Sequence, residues 1–324
     1  MSSPVAIEAA AVQVIAVGIG APLVVGWMGQ VRARLEGRAG GRIGQPWRDL
    51  RKLVRKQNIR PAGTTVVFLA APAVLAGSAV LISAAVPLVA TSSPLDSSLD
   101  LFALVGLLFV GTVALALAGL DTGTAFGGMG ASRELTVAAL VEPTILMAAF
   151  ALSIPAGSTN LSAIVSGVVH EPGRVLSLGG ALAFVALAVV IIAETGRLPV
   201  DNPSTHLELT MLHEAMTLEY AGPRLALIEW AGGMRLSVLL ALLANLFLPW
   251  GIATGHPGVI SVLGGVVVIV FKVAVLATLL AAGEVFLAKV RLFRVPELLA
   301  GSFLLALIAV TASYFFLPAS GQVG

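Results

Sequence analysis

The chain has no cysteine among its 324 residues. That excludes disulfides, thiolate nucleophiles and cysteine-ligated iron–sulfur clusters on this polypeptide. Charge is scarce as well. Asp, Glu, Lys and Arg make up 11% of the residues, against about 25% in a soluble domain. No glycine-rich loop followed by lysine is present, so a phosphate-binding loop is excluded. His213-Glu214 is followed by Thr217 where a zinc protease would carry its second histidine. The N-terminus has no basic segment before its apolar run, and that run is too long for a cleaved signal.

What is abundant is apolar sequence. Hydrophobic residues are 58% of the chain and the mean hydropathy is +1.00. The apolar runs are continuous and do not alternate, which favours helices over a transmembrane barrel. The expected fold is therefore all-α: a polytopic membrane protein forming a single transmembrane domain over 1–324. Eight spans are expected, at about 5–28, 64–90, 99–120, 134–156, 175–193, 233–254, 259–282 and 299–318. The connecting segments 29–63, 121–133, 194–232 and 283–298 then share one side. With Arg235 counted at the edge of the third, they carry 17 of the 19 basic residues. Such a bias marks the cytoplasmic side and leaves both termini outside. The pI of about 9.3 follows from this bias, and no nucleic-acid partner is expected.

The scarce acids are not spread evenly. The stretch from Glu194 to Ala231 holds six of the 17: Glu194, Asp201, Glu208, Glu214, Glu219 and Glu229. Within it, Asn202-Pro203 reads as a helix start and Gly222-Pro223 as a stop. A helix over 203–220 is expected between them, about 27 Å long. Its two faces are polar, one with His206, Thr210, His213 and Thr217, the other with Glu208 and Glu219. Such a helix needs protein or water around it, not lipid. It is placed as an amphipathic helix at the cytoplasmic ends of the spans. GGMG at 127–130 reads as a tight bend in the short segment before the fourth span.

Further ionisable groups fall inside or at the ends of spans: Glu142, Lys272 and Glu284. Glu142 has a side chain too short to reach the interface, and Lys272 is flanked by apolar runs on both sides. Ionisable groups at membrane depth mark ion or proton pathways. The candidate coupling residues are therefore Glu142, Glu194, Asp201, Glu208, Glu214, Glu219, Glu229, Lys272 and Glu284, with Arg133 and Arg197 as charge partners. A solvated loop helix with snorkelling acids is the simpler alternative.

These residues resemble a known family. The stretch beginning ETGRLPVDNPSTHLELTMLHEAMTLEY is similar to the signature loop of the membrane subunit shared by respiratory complex I (NADH dehydrogenase subunit 1) and energy-converting hydrogenases. Glu194, Arg197, Pro199, Asp201, Glu208 and Glu219-Tyr220 stand where that family keeps like residues. The basic loop RARLEGRAGGRIGQPWRDLRKLVRK, the segment DTGTAFGGMGASREL with Glu142, and AKVRLFRVPE extend the likeness over nearly the whole chain. The form DNPSTHLELTMLHEAMTLEY looks like the hydrogenase branch, of formate hydrogenlyase and hydrogenase-4 type.

The resemblance implies eight spans and a place between a peripheral redox arm and a membrane arm. It implies a membrane-anchoring, proton-path subunit in a prokaryotic cytoplasmic membrane, itself without a redox centre or metal. A NiFe centre and iron–sulfur clusters would lie on partners: hydrogenase-like large and small subunits, iron–sulfur subunits and antiporter-like membrane subunits. It also implies that the basic loop docks the peripheral arm, with Arg48, Arg51 and Lys52 as contacts. Asn202, Ser204 and His206 replace acids of the complex I pattern, and the segment from Glu208 to Glu219 is about one turn longer. These departures weigh against a quinone site without excluding quinone. The alternatives are a quinone-site subunit of a respiratory NADH dehydrogenase and a free-standing proton-coupled transporter.

Overall fold

Apolar runs of twenty residues or more satisfy their backbone only as helices when water is absent. The computed structural model describes residues 4–91, 100–201, 213–254, 258–287 and 294–315. Among these residues seven helices are long and apolar enough to cross a membrane. They are α1 (Pro4–Leu35), α3 (Val66–Ala85), α4 (Leu101–Asp121), α5 (Ala125–Ala156), α9 (Gly222–Phe247), α10 (Val259–Phe286) and α11 (Val295–Phe315). An eighth apolar helix, α7 (Leu178–Glu194), has 17 residues and is about 26 Å long. Among the described residues three shorter α-helices, α2 (Gln45–Val54), α6 (Leu161–His170) and α8 (His213–Thr217), and one 3₁₀ turn at Pro172–Arg174 complete the set. The chain is an all-α, multi-pass membrane protein.

Several starts are set by side chains that accept orphan backbone N–H groups. Thr65 caps α3, Asp100 caps α4, Thr124 caps α5, Asn160 caps α6 and Ser177 caps α7. Two expected boundaries are wrong. GGMG at 127–130 is not a bend but the first turns of α5. Its glycine is needed for closeness: a Cβ on Gly127 would lie 2.3 Å from the carbonyl oxygen of Gly119, where α5 leaves α4. Gly222-Pro223 does not stop a helix but starts α9. Proline loses nothing at a first helical position. Gly222, at φ 63°, brings the chain within 2.6 Å, measured from a notional Cβ, of the Gln57 carbonyl oxygen. The sixth span therefore runs over Gly222–Phe247, not 233–254. Of the helix expected over 203–220, only His213–Thr217 is seen as helix; 202–212, with Glu208, lie outside the described residues.

Five helices close a ring. α3 packs on α4, α4 on α5, α5 on α7, α7 on α9, and α9 back on α3. α11 covers α5 and α7 from outside, while α1 and α10 cover α9. Prolines inside the spans leave carbonyls without a helical partner, and aromatic side chains take them up. Pro22 frees the Gly18 carbonyl, which accepts from Trp230 Nε1 at 2.9 Å. Pro72 frees the Phe68 carbonyl, which accepts from the Tyr220 hydroxyl at 2.8 Å. The Tyr220 ring also stacks on Phe68, with centroids 4.0 Å apart. These bonds fix α1 and the turn after α8 against the ring.

The ends of the helices sort onto two sides. At one, Asp121 at the end of α4 accepts from Thr65 N at the start of α3, at 2.7 Å. Glu284 near the end of α10 meets Arg32 near the end of α1 there too. At the other, non-helical segments at 86–91 and 248–254 pair through Ala90 and Ala253. The buried Gln13 side chain donates to Ser83 O and Val86 O at 2.5 and 2.7 Å. It accepts from Leu88 N and Val89 N at 3.2 and 3.1 Å. Non-helical backbone at membrane depth survives only where it is satisfied inside protein, and Gln13 supplies that satisfaction.

Candidate functional site

The centre of the five-helix ring is charged. Arg235 stands 13 residues into α9, about 20 Å along it. Its Nη2 donates to the Leu108 carbonyl at 2.9 Å and to Thr112 Oγ1 at 3.0 Å, both on α4. The same nitrogen donates to Glu194 Oε1 at the end of α7. Both partners of this ion pair are buried. Gly111 makes room: a Cβ there would lie 2.8 Å from Ser78 Oγ and 3.8 Å from Arg235 Nη1.

Glu142 of α5 is buried within electrostatic reach of Glu194 and Arg235. Neither of its carboxylate oxygens has a hydrogen-bond partner among the described residues, and Arg235 Nε has none either. A buried, unsatisfied carboxylate is costly. A neutral carboxyl, a bridging water, or both in turn would lower that cost.

From Glu194 the charged groups continue toward the side where α1, α7 and α10 end. A cavity of about 630 Å³ opens there. Glu194, Arg197, Asp201, Glu214 and Glu229 line it, with Arg32, His213 and Arg235. Glu284, 2% exposed, accepts from Arg32 at 3.3 Å with one oxygen and from Arg197 at 3.4 Å with the other. Asp201 accepts from the backbone N–H of His213 at 3.3 Å. The His213 imidazole faces Glu134 of α5 at 3.8 Å. Burial opposes a charge on His213, but the hydrogen bond and charge of Glu134, helped by Asp201, outweigh it and hold the imidazole above its ordinary value. Glu134 and His213 also lie within electrostatic reach of Glu194, and Glu214 and Asp49 within reach of Glu229.

The structure thus brings together Glu142, Glu194, Arg197, Asp201, Glu214, Glu229 and Glu284. Glu219 sits in the turn after α8, half-buried and outside the cavity lining. Arg133 is half-buried near the start of α5, and it is Arg235, not Arg133, that pairs with the acid at the ring centre. Lys272 stands apart, bonded to Asn245 Oδ1 at 3.2 Å. Arg48, Arg51 and Lys52 are exposed on α2, whose Leu50 is buried. Sequence reasoning missed Arg235, Arg32, Glu134 and His213 as members of the site. The signal for Arg235 was available: with α9 begun at Gly222-Pro223, it falls at mid-helix instead of at a loop edge.

Among the described residues no group of three or more His, Cys, Asp or Glu side chains could hold a metal ion. What the arrangement can do is hold protons on carboxyls and an imidazole along one line, with arginines offsetting the charge.

Apolar helices ringed around a buried arginine–carboxylate line define a polytopic membrane protein with an ionisable interior. A family profile described as NADH dehydrogenase matches residues 7–314, and the chain belongs to that family. It is 35% identical over 288 residues to hydrogenase-4 component C of Escherichia coli (strain K12), covering 89% of this chain and 90% of that protein. It is 34% identical over 290 residues to formate hydrogenlyase subunit 4 of the same organism, covering 89% and 92%. Its fold is shared with a chain in the structure of the membrane-bound sulfane sulfur reductase, an archaeal respiratory membrane complex. That match has a TM-score of 0.79 at 18% identity and covers 95% of this chain and 99% of the other.

Proposed function

We propose that this chain is the membrane-anchoring, proton-path subunit of a complex I-like energy-converting [NiFe]-hydrogenase of formate hydrogenlyase or hydrogenase-4 type. It joins a peripheral redox arm to the membrane arm and has no redox centre of its own. The names of the two relatives that match nearly end to end support the hydrogenase branch. The observation that carries the proton role is the line from the cavity to Glu142. Glu229, Glu214, Asp201 and His213 line the cavity, with Glu134 behind His213; Glu194 and Arg235 close its inner end, and Glu142, without a hydrogen-bond partner among the described residues, lies beyond them. Closely spaced buried acids titrate as a coupled set, so a change at one end of the line alters proton affinity at the other.

The cavity suits water and protons better than a quinone. Quinone oxygens only accept hydrogen bonds, and ionised carboxylates also only accept. Four carboxylates line the cavity. The arginines and the histidine beside them each already hold a carboxylate: Arg32 and Arg197 hold Glu284, Arg235 holds Glu194, and His213 holds Glu134. The NiFe centre and iron–sulfur clusters belong on hydrogenase-like large and small subunits and iron–sulfur subunits, with antiporter-like subunits alongside in the membrane. The segments 29–63, 121–133, 194–232 and 283–298 face the cytoplasm in this reading, in a prokaryotic inner membrane.

Purification of the tagged chain from native membranes in mild detergent tests the assignment. A hydrogenase large subunit with metal-binding cysteines should accompany it. Recovery of NADH-binding flavoprotein subunits in its place would move the chain to the respiratory branch.

A further inference from the structure

The proton line leaves Lys272 unused. Lys272 lies 13 residues from Val259 and 14 from Phe286 in α10, about 20 Å of helix from either end. Its ammonium donates to Asn245 Oδ1 at 3.2 Å. Asn245, 1% exposed, is itself fixed: its side-chain nitrogen donates to the carbonyls of Pro87 and Leu88 at 2.9 and 2.8 Å. An ammonium has three protons to donate. Among the described residues Asn245 is the one acceptor for them, and no carboxylate pairs with Lys272.

Its surroundings on the outer surface are apolar. Phe271 is 68% exposed, Val275 43% and Leu279 63%. Leu248 and Trp250, just past the end of α9, are exposed too, and a Cβ on the neighbouring Gly251 would lie 2.7 Å from the Val268 side chain of α10. In hydrocarbon a half-buried ammonium needs an anion or water. A lipid phosphate is out of reach: a lysine side chain extends about 6 Å, while half the hydrocarbon thickness is about 15 Å. Asn245 is neutral and cannot supply the missing charge.

We infer that Lys272 and the apolar strip of Val275 and Leu279 form the contact for a transmembrane helix of a neighbouring membrane subunit, which presents a carboxylate at mid-membrane depth. The inference rests on the reading that the chain is built into a membrane-bound complex. The Lys272 ammonium, held in place by Asn245, meets that carboxylate, and the apolar strip packs against the same helix. Each charge removes the other's cost of burial, so the pair specifies both partner and register.

The test uses the whole complex, captured through a tag on this chain. Lys272→Met should deplete one membrane subunit at least about fivefold while the soluble arm stays bound, and Lys272→Arg should keep it. Because Lys272→Met also loses the bond to Asn245, a second measurement leaves Lys272 intact. Leu279→Cys in this cysteine-free chain, labelled with a thiol-reactive benzophenone and irradiated in membranes, should cross-link to the same subunit. The linked segment, identified by mass spectrometry, should be a transmembrane helix holding Asp or Glu. Full retention of every membrane subunit by Lys272→Met, or cross-links from position 279 to lipid alone, would overturn the inference. A wild-type chain that brings down neither soluble nor membrane subunits would instead overturn the reading on which it rests.

Discussion

Arg235 of α9 and Glu194 of α7 form a buried ion pair at the centre of the five-helix ring. The guanidinium nitrogen that makes it also bonds the Leu108 carbonyl and the Thr112 hydroxyl of α4. One side chain therefore ties three of the five helices together. Removing one member of a buried pair leaves the other charge uncompensated, at a cost of about 3–5 kcal/mol. Arg235→Met should lower the thermal midpoint of the purified chain in detergent by many degrees. The double variant Arg235→Met, Glu194→Leu should recover most of the loss, because no lone charge remains. Arg235→Lys should recover only part of the loss: an ammonium has a proton for each of the three acceptors, but the shorter side chain stops short of the position that Nη2 holds.

Much of this architecture is legible in the sequence, and the rest is hidden for a physical reason. Hydropathy finds the spans because lipid forces each one to satisfy its own backbone. It also flags Glu142 as out of place. It cannot say which polar residues of different spans meet, since that depends on how the ring closes. Gln13, Asn245 and Thr112 look like ordinary single polar residues in apolar runs, yet each is buried and bonded to another segment. Arg235 was misplaced because Gly222-Pro223 reads equally as a stop and as a start. Glycine marks the turn and proline fits a first helical position, and the choice rests on tertiary contact with Gln57.

His213 should make stability depend on pH. Its imidazole is held above the ordinary value of about 6.5, so its pairing with Glu134 contributes fully below about pH 6.5 and fades as pH rises through the higher folded value. The side chain is 37% exposed, so solvent weakens the effect to about 1–3 °C in midpoint. Thermal unfolding between pH 5.5 and 9 should show a fall for the wild type that is smaller in His213→Gln. Equal falls in both would remove His213 from the account.

The exposed cations of α2 should hold the peripheral arm. Arg48, Arg51 and Lys52 project from a helix anchored by buried Leu50 and by Trp47, whose indole donates to the Ile19 carbonyl at 3.1 Å. Reversing all three to Glu leaves those anchors intact and inverts the local field. Soluble subunits should then be lost several-fold from detergent pull-downs, while the membrane subunits stay. Unchanged recovery of the soluble arm would point to anionic lipid as the partner of α2.

Sidedness can be read with single cysteines, since the chain has none. Ala39 is exposed in the basic segment between α1 and α2. Gly173 is exposed on the other side, with open space where a Cβ would go. An impermeant thiol reagent on intact cells should label Gly173→Cys and spare Ala39→Cys until the membrane is opened. The reverse pattern would invert the orientation drawn from the basic residues.

Glu142 should be where proton coupling and folding part company. Its two oxygens and Arg235 Nε are the buried side-chain polar atoms without partners among the described residues. They belong to one charged cluster; a water between them would have protons for the two oxygens and a lone pair for Nε, and would give the carboxyl a route for its proton. Glu142→Gln keeps the shape and can still hydrogen-bond to that water, but it cannot titrate. The variant should assemble in normal amount, because it removes a buried acid to which no described protein group hydrogen-bonds. Proton movement per turnover in sealed vesicles should fall at least about tenfold, with redox turnover reduced less or uncoupled. Glu194→Gln should differ: it weakens the hold on Arg235 and should lower assembly as well as pumping. Normal pumping per turnover in Glu142→Gln would end the proton-path reading and leave the cluster a structural device that orients the ring.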